Sequence, residues 1–286
     1  VVFIAVLGIL LLDLLGISSR YIDYDGFVSK RITQSAFRET TADKAILQDT
    51  GHYRVYEPQL GLNGARTAYF HNTIGGYHGA KPRRFEELFN YYNTHQIAGV
   101  LDMLNIKYIL FPNQETGVLE PINNPNVLGP AWTVQTLIEM PTADALLDRL
   151  KTTDLKKEAV FIKGSLGVDV TKEYELDSLA TLNLKTITSN KINYKAISSV
   201  SQFIVFSEMY YPEGWTAKVN GKETPIYNLN YVLRGISVAP GVSEIEFEFT
   251  PVIIAKGTTI RRITAFLFLF SILTFGYFQF RKRKIL

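Results

Sequence analysis

Glu244–Phe249 reads EIEFEF, and Ile263–Phe280 reads ITAFLFLFSILTFGYFQF. The first stretch alternates strictly, which puts Ile245, Phe247 and Phe249 on one face of a strand and three glutamates on the other. The second holds no charge in eighteen residues and lies between Arg261-Arg262 and Arg281-Lys282-Arg283-Lys284. Eighteen helical residues reach roughly 27 Å, close to the ~30 Å hydrocarbon thickness of a bilayer. A half-buried strand followed by a membrane span sets the frame: a β-rich domain standing on a lipid surface.

The opposite end is also apolar. Val1–Ile17 (VVFIAVLGILLLDLLGI) carries Asp13 as its one charge. It lacks the basic n-region and small-x-small cleavage site of a signal peptide, so residues 1–17 read as the last, truncated part of a preceding span. The four basic residues Arg281, Lys282, Arg283 and Lys284 outweigh Lys256, Arg261 and Arg262 on the other side of the last span. The positive-inside rule therefore assigns residues 281–286 to the cytoplasm and residues 18–262 to the outside of the cell (inner) membrane.

Composition excludes several classes. The 286 residues contain no cysteine, so neither a disulfide scaffold nor Cys-ligated zinc is available. At 13% aromatic the chain is far from the signature of disorder. The formal charge of +3 raises the question of nucleic acid, but the excess sits at the membrane border. Six of the 30 basic residues flank the last span and one of the 27 acids, Asp13, lies in the first. Residues 14–260 thus hold 24 basic and 26 acidic side chains, a net −2, which argues against a nucleic-acid partner.

Between the spans the pattern changes once. Residues 18–157 read as mixed α/β. Thr41–Asp49 and Ala143–Leu150 are helices, as is Phe85–Asn105 with a break near Asn93-Thr94; His52–Glu57, Lys107–Phe111 and Trp132–Ile138 are strands. The Gly61–Gly79 stretch reads as an irregular loop. Residues 158–256 read as a small β-sandwich, with strands at Ala159–Lys163 and Gln202–Phe206 and a hairpin turning at Asn220-Gly221. The expected fold class is α+β: an extracytoplasmic mixed α/β subdomain, then the sandwich, flanked by transmembrane helices at 1–17 and 263–280.

Tyr210–Gly241 (YYPEGWTAKVNGKETPIYNLNYVLRGISVAPG) then carries a resemblance. Its Tyr-Pro-Gly-Trp strand, Val-Asn-Gly-Lys turn, Arg-Gly strand and Pro-Gly before an acidic-aromatic strand resemble the C-terminal portion of YfhO-like bacterial multi-pass membrane proteins. Tyr53–Tyr56, Ala68–Asn72, Gly75–Tyr77, Leu104–Leu110 and Asn126–Trp132 follow the same order, with Pro130-Ala131 departing where a basic residue often precedes the Trp. The resemblance implies a glycosyltransferase of the GT-C type that uses a lipid-phosphate-linked sugar to modify cell-envelope glycan. In that class the catalytic acids usually lie in the first extracytoplasmic loop, which these residues do not include. Implied partners are the lipid bilayer, a lipid-linked sugar or envelope glycan, and the N-terminal membrane core of the same protein. No cofactor is implied.

The most site-like residues are His71, Asn72, Tyr77, His78, Lys81, Arg83 and Arg84. Backbone amides and cations on a glycine-rich segment suit a phosphate, and Tyr and His suit a sugar face; equally, the glycines make a tight connection and the arginines begin a helix surface. His71 and His78 lie seven apart with no carboxylate between them, a poor metal spacing. Glu86-Glu87 point apart on a helix, Asp102 suits a cap or salt bridge, and no Gly-x-Ser-x-Gly elbow exists, so no catalytic residue is assigned. Tyr210, Tyr211 and Trp215 fit either a sugar-stacking platform or a strand core. A non-enzymatic, membrane-anchored glycan-binding module and a structural domain holding a transporter-like bundle remain the alternatives.

Overall fold

The computed structural model describes residues 2–283 apart from 23, 36 and 169. Along the chain run α1 (Val2–Ser18), α2 (Lys30–Ser35), α3 (Thr41–Ile46), β1 (Arg54–Tyr56), α4 (Ala65–Phe70), α5 (Arg83–His95), α6 (Ala98–Met103), β2 (Ile106–Pro112) and β3 (Leu119–Asn123). Then come β4 (Ala131–Val134), β5 (Thr136–Met140), α7 (Ala143–Leu150), β6 (Glu158–Ile162), β7 (Thr181–Ile187), β8 (Lys191–Ser198), β9 (Gln202–Met209) and β10 (Trp215–Val219). The chain closes with β11 (Lys222–Thr224), β12 (Tyr227–Leu229), β13 (Leu233–Val238), β14 (Gly241–Phe249) and α8 (Val252–Arg283). The fold is α+β. It divides into two compact units, residues 1–79 with 108–123, and residues 80–107 with 124–286.

In the first unit, β1, β2 and β3 form a three-stranded sheet, with Ala42 and Ile46 of α3 packed on Tyr53, Val55 and Leu110. Helix α3 starts where a capping box allows: Thr40 accepts from the Asp43 N–H, and Asp43 accepts from the Thr40 N–H. The Tyr53 hydroxyl donates to the Ile46 carbonyl at 2.7 Å, fixing the end of α3 over the sheet. Burial, with the Asp49 carboxylate adding to it, pushes the Tyr53 phenol up to about 12. The Gly61–Gly79 stretch is not irregular throughout: the glycine-free run from Ala65 to Phe70 forms α4.

In the second unit, two sheets face each other. One has the order β11-β10-β14-β8-β7 and the other β12-β13-β9-β4. Ile192, Tyr194 and Ala196 of β8, Ala217 of β10, and Ile245 and Phe247 of β14 meet Ile204 and Phe206 of β9 and Ile236 and Val238 of β13. Phe206 stands edge-on to Phe247 at 4.8 Å and to Tyr194 at 4.9 Å between ring centroids. The glutamates of β14 point outward, where Glu246 pairs with Lys191 at 2.5 Å and Glu244 with Lys195 at 3.5 Å. These exposed pairs are screened by solvent and contribute little. At the hairpin, Asn220 and Gly221 both take positive φ, 51° and 79°, as a primed turn demands.

Trp132–Ile138 is two strands, not one. The chain breaks at Gln135, so that β4 joins β9 in the sandwich while β5 pairs in parallel with β6. The β5-α7-β6 crossover makes a small βαβ element. Asn230 ties it to the sandwich: its N–H donates to the Val160 carbonyl and its Oδ1 accepts from the Val160 N–H, both at 2.8 Å. Helices α5 and α6 part at Gln96, whose left-handed φ of 51° ends α5 three residues beyond the expected break.

Among the described residues one helix is long and apolar enough to cross a membrane, over Val252–Arg281, with none of its most apolar window buried. Helix α1 is a shorter apolar helix, also without buried residues. Thr250 and Pro251 alone separate β14 from α8. Phe247, 1% exposed, is the test of the sandwich core. Phe247→Ala is expected to lose roughly 3–5 kcal/mol of unfolding free energy in a denaturant titration. A loss below about 1 kcal/mol would contradict this packing.

Candidate functional site

The seven residues singled out in the sequence do not share one unit. His71, Asn72, Tyr77 and His78 belong to the first; Lys81, Arg83 and Arg84 to the second. Tyr77 is 84% exposed, whereas His71 is buried. Arg83 donates to Glu87 at 2.8 Å, and the Arg84 guanidinium lies 5.4 Å from the Tyr231 ring centroid. Of the four basic tail residues, Lys284 lies outside the described residues, and Arg281 to Arg283 continue α8.

His71 belongs to a buried polar cluster. Its Nε2 lies 2.9 Å from Asp43 Oδ1. Asp43 Oδ2 accepts from the Thr40 N–H and hydroxyl, both at 2.7 Å, and from Arg66. Beside it, the Thr67 hydroxyl donates to Glu57 at 2.5 Å. The Asp43 side chain is fully buried and that of His71 is 2% exposed, so no substrate reaches the pair. Burial pushes the Asp43 carboxyl up, but the bonds from Thr40, His71 and Arg66 outweigh it and hold the group below the ordinary range. The cluster fastens α3 to α4 and the segment after it.

Other carboxylates are committed in the same way. Glu87 accepts from the Tyr231 hydroxyl at 2.6 Å as well as from Arg83, so it is a tie between α5 and the β12–β13 turn and not merely solvated. Burial and then the Glu87 contact push the Tyr231 phenol up to about 12. Asp102, raised by burial, accepts from Asn124 at 2.8 Å. Trp132 donates to the Leu155 carbonyl at 2.9 Å and is core.

Among the described residues, one cavity on the sandwich is lined by Gly241 and Ser243 at the start of β14, and another by Trp215, Thr216 and Ala217 of β10, which pair with Phe249, Glu248 and Phe247 at its end. The one near Gly241 holds about 330 Å³ and is lined by Trp132, Lys156, Asp177, Ser198, Gln202 and Ser243 among others. Its carboxylate is spoken for: Asp177 accepts from the Ser199 N–H at 2.7 Å, the Leu179 N–H at 2.9 Å, and the Ser199 and Ser198 hydroxyls. The Ser199 and Leu179 amides bring Asp177 down to about 2. It staples a loop.

The other cavity, at the α8 end, holds about 340 Å³. Tyr210, Tyr211, Trp215, Thr216, Glu223 and Thr224 are among the residues that line it. The tripeptide Pro212-Glu213-Gly214 turns the chain from β9 into β10. Gly214 has φ +107°, and a Cβ there would lie 2.8 Å from both Phe249 and Pro251, so only glycine lets this turn sit against the start of α8. The Thr250 N–H donates to the Gly214 carbonyl at 2.8 Å, closing the junction. Trp215 rests on the core through Phe249, at 5.2 Å, and through Arg234, whose guanidinium lies 4.3 Å from the ring centroid. The structure therefore makes Trp215 both core and cavity wall. Its position on β10 was readable from alternation; the cavity was not, because the chain folds back through β11 to bring Thr224 and Ile226 to it.

The Asp43 cluster gives a pH signature. A carboxyl held low in the folded state contributes stability that is fully present above its unfolded value, near 3.8, and is lost as pH falls through the folded pKa. Asp43→Asn is expected to cost about 3 kcal/mol at pH 7, since it leaves half-buried Arg66 and buried His71 without their carboxylate partner. Native-state hydrogen exchange of the α3 amides checks this: protection should drop in the variant and lose part of its dependence on pH below 4.

No curated protein and no solved structure matches the chain. One family model does, over residues 170–261, about a third of the sequence, from just before β7 into α8. Its coverage takes in the aromatic cavity and the junction with the membrane helix, and over these residues the chain is similar to the family described as bacterial membrane protein YfhO.

Proposed function

We propose that this chain is the extracytoplasmic C-terminal part of a multi-pass membrane glycosyltransferase of the GT-C type, which modifies cell-envelope glycan with sugar from a lipid phosphate. In this reading residues 18–262 lie outside the cell (inner) membrane, the basic tail from Arg281 lies in the cytoplasm, and the N-terminal membrane core of the same protein performs the chemistry. One observation carries the reading: the sandwich runs through Thr250 and Pro251 into α8, a helix apolar enough to span a bilayer and without cover over its most apolar stretch. The domain is thereby held at the lipid surface, where a lipid-linked sugar is presented.

The role of these residues is to position glycan, not to break its bonds. Asp43, Glu87 and Asp177 each accept several hydrogen bonds, and carboxylates so stabilised are weak general bases. That observation equally supports the second reading, a non-enzymatic glycan-binding module on a membrane anchor. In either reading Tyr77 and His78, exposed in the first unit, would be a secondary contact for glycan.

The absence of cysteine makes topology simple to measure. Glu115→Cys is expected to react with a membrane-impermeant maleimide in intact cells, and Ile285→Cys only after permeabilisation. The reverse pattern overturns the orientation. Transfer is tested separately: membranes containing the full-length protein should move labelled hexose from a polyprenyl phosphate to envelope polymer, and membranes lacking it should not. Equal transfer in both would leave the glycan-binding module as the reading.

A further inference from the structure

We infer that the cavity at the start of β14 seats the acylamino group of an N-acylated sugar, with its N–H and carbonyl met by Gln202 and Ser243. The choice of a sugar as carrier rests on the glycan-handling reading above. The fit to an acylamino group rests on the cavity alone.

The cavity exists because one layer of the sandwich is built from small side chains, and strand register fixes which residues face it. Ser243 of β14 stands opposite Ala196 of β8, and Ala196 opposite Leu182 of β7. In the facing sheet Gln202 of β9 stands opposite Val238 of β13, and Ile204 opposite Thr133 of β4. Ala196, Ile204 and Val238 belong to the core between the sheets, so alternation turns Ser243, Gln202 and Thr133 inward with them. Two positions away on β14, β8 and β9 stand Ile245, Tyr194 and Phe206, which fill the space between the sheets. Where Ser243 and Ala196 stand in place of such bulk, about 330 Å³ is left, within the range of small-ligand pockets.

Two deeply buried polar groups on this wall have unmet capacity. Ser243 is 3% exposed, and its hydroxyl bonds to no group among the described residues. Gln202 is 4% exposed and donates from Nε2 to the Glu175 carbonyl at 3.1 Å. Its Oε1 takes no hydrogen bond among the described residues and remains an acceptor on the cavity side. Buried groups left so cost free energy, and a guest that offers a donor to Gln202 and an acceptor to Ser243 removes that cost.

The lining narrows the ligand class. A secondary amide with a methyl group has one donor, one acceptor and an apolar end. These match Oε1 of Gln202, the Ser243 hydroxyl and the aliphatic wall of Leu182, Ala196 and Ile204. A bare hexose ring finds no flat face to stack on. Trp132, the aromatic residue of the lining, pairs with Val205 and so sits on the opposite face of β4. An ion gains no net preference, because Lys156 and Asp177 bring one charge of each sign. Asp177 is also no acceptor for the guest, since the Ser199 and Leu179 amides and the Ser198 and Ser199 hydroxyls already bond to it.

The test uses the full chain in nanodiscs, read by calorimetry and by saturation-transfer NMR of the ligand. The probes are methyl N-acetylglucosaminide, its de-acetylated amine, methyl glucoside and N-acetylalanine methylamide. Saturable binding of the first, about tenfold or more tighter than methyl glucoside and the amine, with the strongest saturation on the acetamido methyl, supports the assignment. Ser243→Ala should weaken that binding about fivefold or more with Tm unchanged or raised, because the hydroxyl it removes holds nothing in the free protein. Ser243→Val fills the cavity with a residue suited to a strand and should abolish binding. N-acetylalanine methylamide bound as tightly as the sugar, with the same sensitivity to Ser243, overturns the sugar as carrier and supports the acylamino site. A cavity that holds water alone gives no saturable binding of any probe and overturns the proposal. Binding indifferent to both Ser243 substitutions, or a preference for methyl glucoside, overturns it as well. Maleimide labelling is independent of the cavity, so an outward-facing domain that binds no probe sinks the cavity alone, whereas acylamino binding with inverted labelling sinks the wider reading alone.

Discussion

Arg234 carries a guanidinium almost wholly enclosed in a β-sandwich. It lies 4.3 Å from the Trp215 ring centroid and 5.1 Å from that of Phe247. Removing such a charge from water costs several kcal/mol, so its surroundings must supply compensating contacts. The two rings contribute part of that compensation as desolvated cation–π contacts, on the order of 2 kcal/mol each at most. The consequence is geometric. Phe247 is fixed against Phe206 in the core, Trp215 is fixed at the cavity, and one side chain connects them. The cavity wall therefore inherits the rigidity of the sandwich.

The second constraint is the short passage from sheet to membrane helix. With Thr250 and Pro251 alone between β14 and α8, the last strand has little freedom to reorient on its anchor. Gly214 completes the junction, because any side chain there would strike Phe249 and Pro251.

Much of the framework was legible in local pattern. Alternation marked Ile245 and Phe247 as inward and the glutamates as outward, because strand periodicity is enforced by the backbone alone. Asn220-Gly221 marked a primed turn for the same reason, and the uncharged run from Ile263 marked a membrane helix. The partition of neighbouring strands was less legible. Trp132–Ile138 is one apolar run, but pairing partners far along the chain send its halves into different sheets. Hydrogen bonding across 70 residues, as between Asn230 and Val160, leaves no local trace.

The sequence by itself determined the α+β class, the β-rich C-terminal half, the membrane border that holds the excess positive charge, and the resemblance to YfhO-like proteins. These depend on periodicity, composition and order, which are properties of neighbours along the chain. Tertiary structure decided which polar residues are spent and which are free. It buried His71 against Asp43, drew Glu87 to Tyr231, and closed Asp177 with its own loop. Whether a carboxylate holds the fold or awaits a ligand depends on what the rest of the chain brings within about 3 Å of it, and that distance is set by folding.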